Sequence, residues 1–282
     1  MYKMLFFITF CLPALPAPGQ TALVIDNFGK VTYSQNKRPV LQGQQLQLQT
    51  QLTFPPSGAV VVCFIPGRGL YTVKPDPALP SAPKRHGEFV AALTNLLLPT
   101  VKHRSYHGRA GTLNSYFDIK NYFRPFNTDT SRLLVINEYL LPVNKKYSVK
   151  GQPQYFFLRY TYNGKPVNKA LAFTPHPSNA DLINLRLDTN VFKIGGRNIR
   201  PDKATHCQLF YYNEQKELAD SIATFYINII RLQEVSRALC LLPGSHEKNM
   251  TWQNLAKDYL YNFYGLADDA YLDKQLSSHA CK

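Results

Sequence analysis

Between residues 23 and 75 apolar and polar positions alternate over short stretches, and Gly, Pro and Asn cut the alternation into pieces. Gly29-Lys30-Val31-Thr32-Tyr33 alternates as a half-buried strand does. Residues 41–46 read as a turn with apolar flanks, and 52–54, 59–65 and 70–73 read as further strands. The run 59–65 is unbroken enough to be a central strand, and Gly67-Arg68-Gly69 suits a hairpin turn better than half a phosphate loop. Strands this short and this punctuated predict a small sandwich or barrel. Pro75, Pro77, Pro80 and Pro83 then predict a stiff linker, since proline fixes φ. Phe89, Ala92, Leu93, Leu96 and Leu97 share one face at helical spacing, so a short connecting helix is expected over 88–98, stopped by Pro99. Residues 100–111 are polar, basic and aperiodic, hence a loop.

From about residue 133 the pattern is β again. Residues 155–162 and 165–173 alternate on either side of Asn163-Gly164, the dipeptide that favours a type I′ hairpin because both central residues take positive φ. That register sets Tyr160 opposite Val167 and Phe156 opposite Leu171 on one core face. Residues 182–192, a hairpin around Gly195-Gly196, 205–212 and 221–230 add strands, giving a β-sandwich of roughly one hundred residues. The end is helical: 231–242 is amphipathic, Trp252, Leu255, Tyr259, Leu260 and Phe263 mark a second helix capped near Thr251 and stopped by Gly265, and a third spans 270–276 behind Asp268-Asp269. The aromatic stripe of the second helix reads as core. The fold class expected is mainly β, with a helical C-terminal tail.

The front of the chain resembles a FecR-type domain. Gly29-Lys30-Val31, Leu41-x-Gly43-x-x-Leu46, Leu52-Thr53-Phe54 and Ser57-Gly58-Ala59 resemble the G-x-V, L-x-x-G-x-x-L and T-x-x-x-S-x-A progression of that family, with Leu41 one residue closer to Gly43 than the pattern has it. The resemblance covers about 50 residues. It implies a small exported β-domain, in some members a periplasmic sensor that addresses a surface receptor. Those sensors carry a cytoplasmic anti-sigma segment and a transmembrane helix ahead of the domain, whereas a leader precedes it here, so sigma regulation is not implied. The layout is also similar to exported proteins of Bacteroidota with such a front, which implies no activity.

The first twenty residues carry Lys3, an apolar run broken by Pro13, and small residues at Ala17-Pro18-Gly19, the pattern of a cleavable secretory leader. The run is too short for a membrane span, which takes about 20 apolar residues. The organisation expected is a leader over 1–19, a FecR-like β-domain over 20–75, a linker with helix and basic loop over 76–132, a β-sandwich over 133–230 and a helical tail over 231–282. The mature protein is expected in the periplasm or outside the cell, with no transmembrane segment. Cleavage leaves Cys63, Cys207, Cys240 and Cys281, which allow two disulfides in three pairings. Cys63 and Cys207 sit in apolar strands and read as small buried hydrophobes. None of the four stands at metal-ligand spacing.

Composition adds one fact of weight. The net charge is +14, and it is uneven: residues 20–213 hold 24 basic and 9 acidic side chains, residues 214–282 hold 7 and 9. Lys84, Arg85, His86, Lys102, His103, Arg104, His107 and Arg109 concentrate the excess between linker and loop. They are the candidate ligand-binding residues, suited to a polyanion such as an acidic glycan, anionic lipid head groups or an acidic protein surface. Nucleic acid is not an expected partner, because no stacking-aromatic and basic motif of a known reader occurs. His103 and His107 have the i, i+4 spacing of a helical metal pair, but Lys102, Arg104 and Arg109 oppose a cation, so no metal or other cofactor is expected. His206 and Cys207 are neighbours on a strand and point to opposite faces, so they cannot act as a nucleophile pair. Cys207 with His176 or His246 has nothing to support it. Asp181 and Asp188 flank a strand as turn residues, and no hydrolase, kinase or dinucleotide motif is present. The sequence therefore points to an exported, non-catalytic modular protein of the cell envelope. A hydrolase of acidic polymers and a FecR-type signalling component are the alternatives.

Overall fold

The computed structural model describes residues 21–55, 58–75, 89–92, 97–100, 116–126, 132–147, 154–199, 204–279 and 281. The chain is mainly β and divides into two units, Met1–Pro99 and Thr100–Lys282. In the first unit the strands are β1 (Thr21–Phe28), β2 (Thr32–Tyr33), β3 (Gln45–Gln47), β4 (Gln51–Phe54), β5 (Val60–Ile65), β6 (Gly69–Val73), β7 (Phe89–Ala92) and β8 (Leu97–Pro99). The apolar run at 59–65 is indeed central: the larger sheet has the order β3-β1-β5-β6-β8. The alternation at 29–33 survives only as β2, which belongs to a second sheet, β2-β4-β7. Val24, Leu52, Phe54, Val61 and Cys63 meet in one core drawn from both sheets.

The described residues of the segment expected to be a helix, 89–92 and 97–98, are strand. β7 pairs antiparallel with β4, from Gln51 opposite Ala92 to Phe54 opposite Phe89, and β8 pairs with β6. So short a segment is marginal as an isolated helix, whereas two open sheet edges offer it a full set of backbone partners.

The first described element of the second unit is α1 (Tyr116–Phe123), where the sequence pattern predicts none. Its strands are β9 (Arg132–Ile136), β10 (Glu138–Asn144), β11 (Gln154–Tyr162), β12 (Lys165–Ala170), β13 (Ala172–Pro175), β14 (Leu182–Asp188), β15 (Lys193–Ile194), β16 (Arg197–Asn198), β17 (Thr205–Asn213) and β18 (Leu218–Ile230). A five-stranded sheet runs β12-β11-β17-β18-β9, and a three-stranded one β10-β14-β13. Phe156, Leu158, Tyr160, Leu209 and Phe225 from the first join Leu141, Leu185 and Leu187 from the second in a single core. Phe123 of α1 stacks on Phe225, ring centroids 4.9 Å apart.

The Asn163-Gly164 hairpin forms as its chemistry demands, with φ of 49° and 74° at the two residues. Tyr160 faces Val167, and Leu171 N–H donates to Phe156 O at 2.8 Å. Residues 165–173 are not one strand, however. At the buried Leu171 the chain changes sheets, so that β13 pairs with β14 rather than β11. The run 182–192 likewise stops at Asp188, whose carboxylate accepts the Asn190 N–H at 2.8 Å and caps a short 3-10 turn.

Three helices follow β18: α2 (Leu232–Leu241), α3 (Met250–Phe263) and α4 (Asp269–Ser278). Asn249, not Thr251, caps α3 by accepting the Trp252 N–H, and Asp268 caps α4 by accepting that of Tyr271. These helices are welded to the sheet. The Trp252 indole N–H donates to Leu239 O at 2.9 Å, and the Tyr271 hydroxyl bonds both N–H and C=O of Ile136 at 2.7 Å. Leu266 exchanges backbone bonds of 2.7 Å with Arg132 and Leu134, adding one bridge to the outer edge of β9. Gly265 makes that approach feasible: its φ is +127°, and a Cβ there would stand 2.4 Å from Arg132 O. No described helix is long and apolar enough to cross a membrane.

Candidate functional site

The sequence-predicted polyanion residues Lys84, Arg85, Lys102, His103, Arg104, His107 and Arg109, with His86, lie outside the described residues. Cys207 faces the core and is 1% exposed. Burial pushes its thiol up to about 12, so it holds no thiolate at neutral pH. Cys63 behaves alike, raised to about 12 in the core of the first unit. Both cysteines are free, as their apolar strands imply. His176 is half-buried and accepts the Ser178 N–H, bearing on no nucleophile. Asp188 is occupied as a cap and as the ion-pair partner of Arg186 at 2.7 Å.

Two surfaces remain. The first is a pocket at the helical end, about 890 Å³ in volume, lined by Ser236, Arg237 and Cys240 of α2, His246 of the following turn, and Ser278 and His279 at the end of α4. Cys240 in its wall belongs to a disulfide. Cys240 and Cys281 are bonded, with Cα atoms 5.3 Å apart, tying α2 to the segment beyond α4. The His279 Nε2 lies 3.5 Å from both Cys240 Sγ and Ser236 Oγ. At 6% exposure the ring is well buried, and burial together with the nearby Lys248 charge holds it below the usual imidazole range, a hydrogen bond to the Ser236 backbone opposing. Local ligand spacing in the sequence does not reveal this cluster. Only His279-x-Cys281 was visible locally; its third member stands 39 residues away, across a helix pair.

The second surface is the outer face of the five-stranded sheet. Since Phe156, Leu158 and Tyr160 point into the core, Tyr155, Phe157 and Arg159 point out, and across β17 so do Phe210 and Tyr212. Phe157 and Phe210 stack at 5.0 Å with planes 7° apart, and Tyr155 meets Tyr212 at 5.2 Å. Tyr155 is 38% exposed and Arg159 is exposed beside the row. Four partly exposed rings and a guanidinium offer flat apolar faces next to a positive charge, the combination that holds a ring-shaped anionic ligand by stacking and charge. No known family model, curated protein or solved structure matches the chain.

Proposed function

We propose that this is an exported, non-catalytic binding protein of the cell envelope, and that its ligand is an acidic glycan. The observation that carries the reading is the outward aromatic row Tyr155, Phe157, Phe210 and Tyr212 beside Arg159, on a chain of net charge +14. Sugar rings offer C–H faces that pack on aromatic rings, and their carboxylates or sulfates pair with guanidinium groups. The basic residues of 84–109 add long-range attraction, which raises the encounter rate and falls with salt. The leader pattern supports export, and so does the Cys240–Cys281 disulfide, since disulfides persist in oxidising compartments. The FecR-type resemblance of the front unit fits an envelope setting.

The test is retention of the full chain on immobilised heparin against neutral dextran at low salt. Retention on heparin alone is expected, released as salt rises. Phe157→Ala with Tyr155→Ala should weaken it roughly tenfold, about 1.4 kcal/mol. Equal behaviour on the two matrices, or no loss in the double variant, overturns the reading.

A further inference from the structure

The cluster at the helical end has a chemistry that the glycan reading does not use. The sulfurs of Cys240 and Cys281 and the ring nitrogen of His279 all lie within 4.8 Å of one another. A thiolate and an imidazole on one tetrahedral zinc, at about 2.3 and 2.0 Å from the metal, stand roughly 3.5 Å apart. Cys240 Sγ and His279 Nε2 are already at that separation, 3.5 Å. Only the second sulfur is out of place, held too close by its covalent bond.

We propose that reducing the Cys240–Cys281 disulfide turns this cluster into a Cys₂His site for a thiophilic divalent cation, zinc above all, with a fourth position open to the pocket. The chemistry balances. An external dithiol supplies two electrons and two protons, the S–S bond breaks, both cysteines become thiols, and the reductant leaves as a disulfide. The cation then displaces two thiol protons, forms two metal–sulfur bonds and takes the His279 lone pair as its third.

Four features of the cluster suit this role. Cys240 is fixed on α2, whereas Cys281 follows the C-cap of α4 in non-helical backbone, so one ligand is rigid and the other adjustable. Both cysteines are half-exposed, within reach of a reductant, and Cys240 lines the pocket. His279 is buried and its Nε2 already stands 3.5 Å from Cys240 Sγ, so the imidazole ligand is in position. Redox state supplies the gate: the intact disulfide offers no thiolate, whereas reduction brings two potential thiolates.

The experiment titrates the full chain with Co²⁺, a zinc stand-in whose thiolate complexes absorb in the near ultraviolet. One portion is oxidised; the other is reduced with a dithiol that is then removed under anaerobic conditions. The expected result is one equivalent bound by the reduced chain, with sulfur-to-cobalt charge-transfer bands that Zn²⁺ abolishes, and none by the oxidised chain. Cys240→Ala with Cys281→Ala should lose the bands although the remaining thiols persist, and His279→Ala should weaken binding roughly tenfold or more. The proposal falls if the reduced chain takes up no stoichiometric cobalt, if the oxidised chain binds equally, or if the bands survive loss of both cysteines. The contrast of oxidised and reduced wild type needs no substitution, so a variant that fails to fold leaves the test intact.

Discussion

The cysteines of this chain occupy two kinds of surroundings. Cys63, on β5, and Cys207, on β17, are enclosed by side chains of their respective cores, and both thiols are pushed up to about 12. Cys240 and Cys281, at the helical end, are half-exposed, bonded to each other and in contact with an imidazole. A sheet interior excludes the water that a thiolate needs, so sulfur there is one more small hydrophobe. A helical end that leaves both sulfurs half-exposed keeps their chemistry available.

The sharpest test of that contrast is alkylation of the reduced, native chain. Cys240 and Cys281, half-exposed, should react roughly a thousandfold faster than Cys63 and Cys207, whose burial shields the sulfur and keeps it protonated. Peptide mass spectrometry after timed quenching reads the ratio, and comparable rates at all four sites would dissolve the distinction. Next in size, Cys240→Ala with Cys281→Ala should cost about 2–4 kcal/mol in denaturant unfolding, from the loop entropy the bridge removes. Adding a dithiol should lower the wild type by a similar amount and leave the variant unmoved. A smaller loss, about 1–2 kcal/mol, is expected for Cys207→Ala, which only empties packed volume in the core; its sensitivity to dithiol should stay that of the wild type.

A further test uses pH. Thiols raised from 9.0 to about 12 keep their protons in the folded state after the unfolded chain has lost them. Their contribution is complete below pH 9 and is lost as pH rises towards 12. Unfolding followed by fluorescence from pH 8 to 11 should therefore show a shallower decline in the Cys63→Ala, Cys207→Ala double variant than in the wild type.

What could be read in advance was whatever local chemistry decides. Asn163-Gly164 sets its own turn, and the 59–65 run advertises a strand covered on both faces. Amphipathic spacing marks the three closing helices to within a few residues at each end. The segment 88–98 failed because its spacing is as compatible with a helix as with two short strands, and the partners that settle the matter lie in β4 and β6. Parallel pairing of β9 with β18 and the change of sheet at Leu171 are equally non-local. The pocket cluster was illegible for the same reason: Cys240 becomes a neighbour of His279 only after α3 has turned the chain back.

Leu266 closing the outer edge of β9 has a consequence in time. β9 pairs on one side with the last residues of β18 and on the other with a residue that follows α3. A chain that emerges N-terminus first therefore exposes β9 long before either partner follows, and the second unit cannot finish folding until its final helices emerge. Such long-range closure places the unit among slow-folding topologies. A release after Phe263 would leave a bare strand edge open to another molecule.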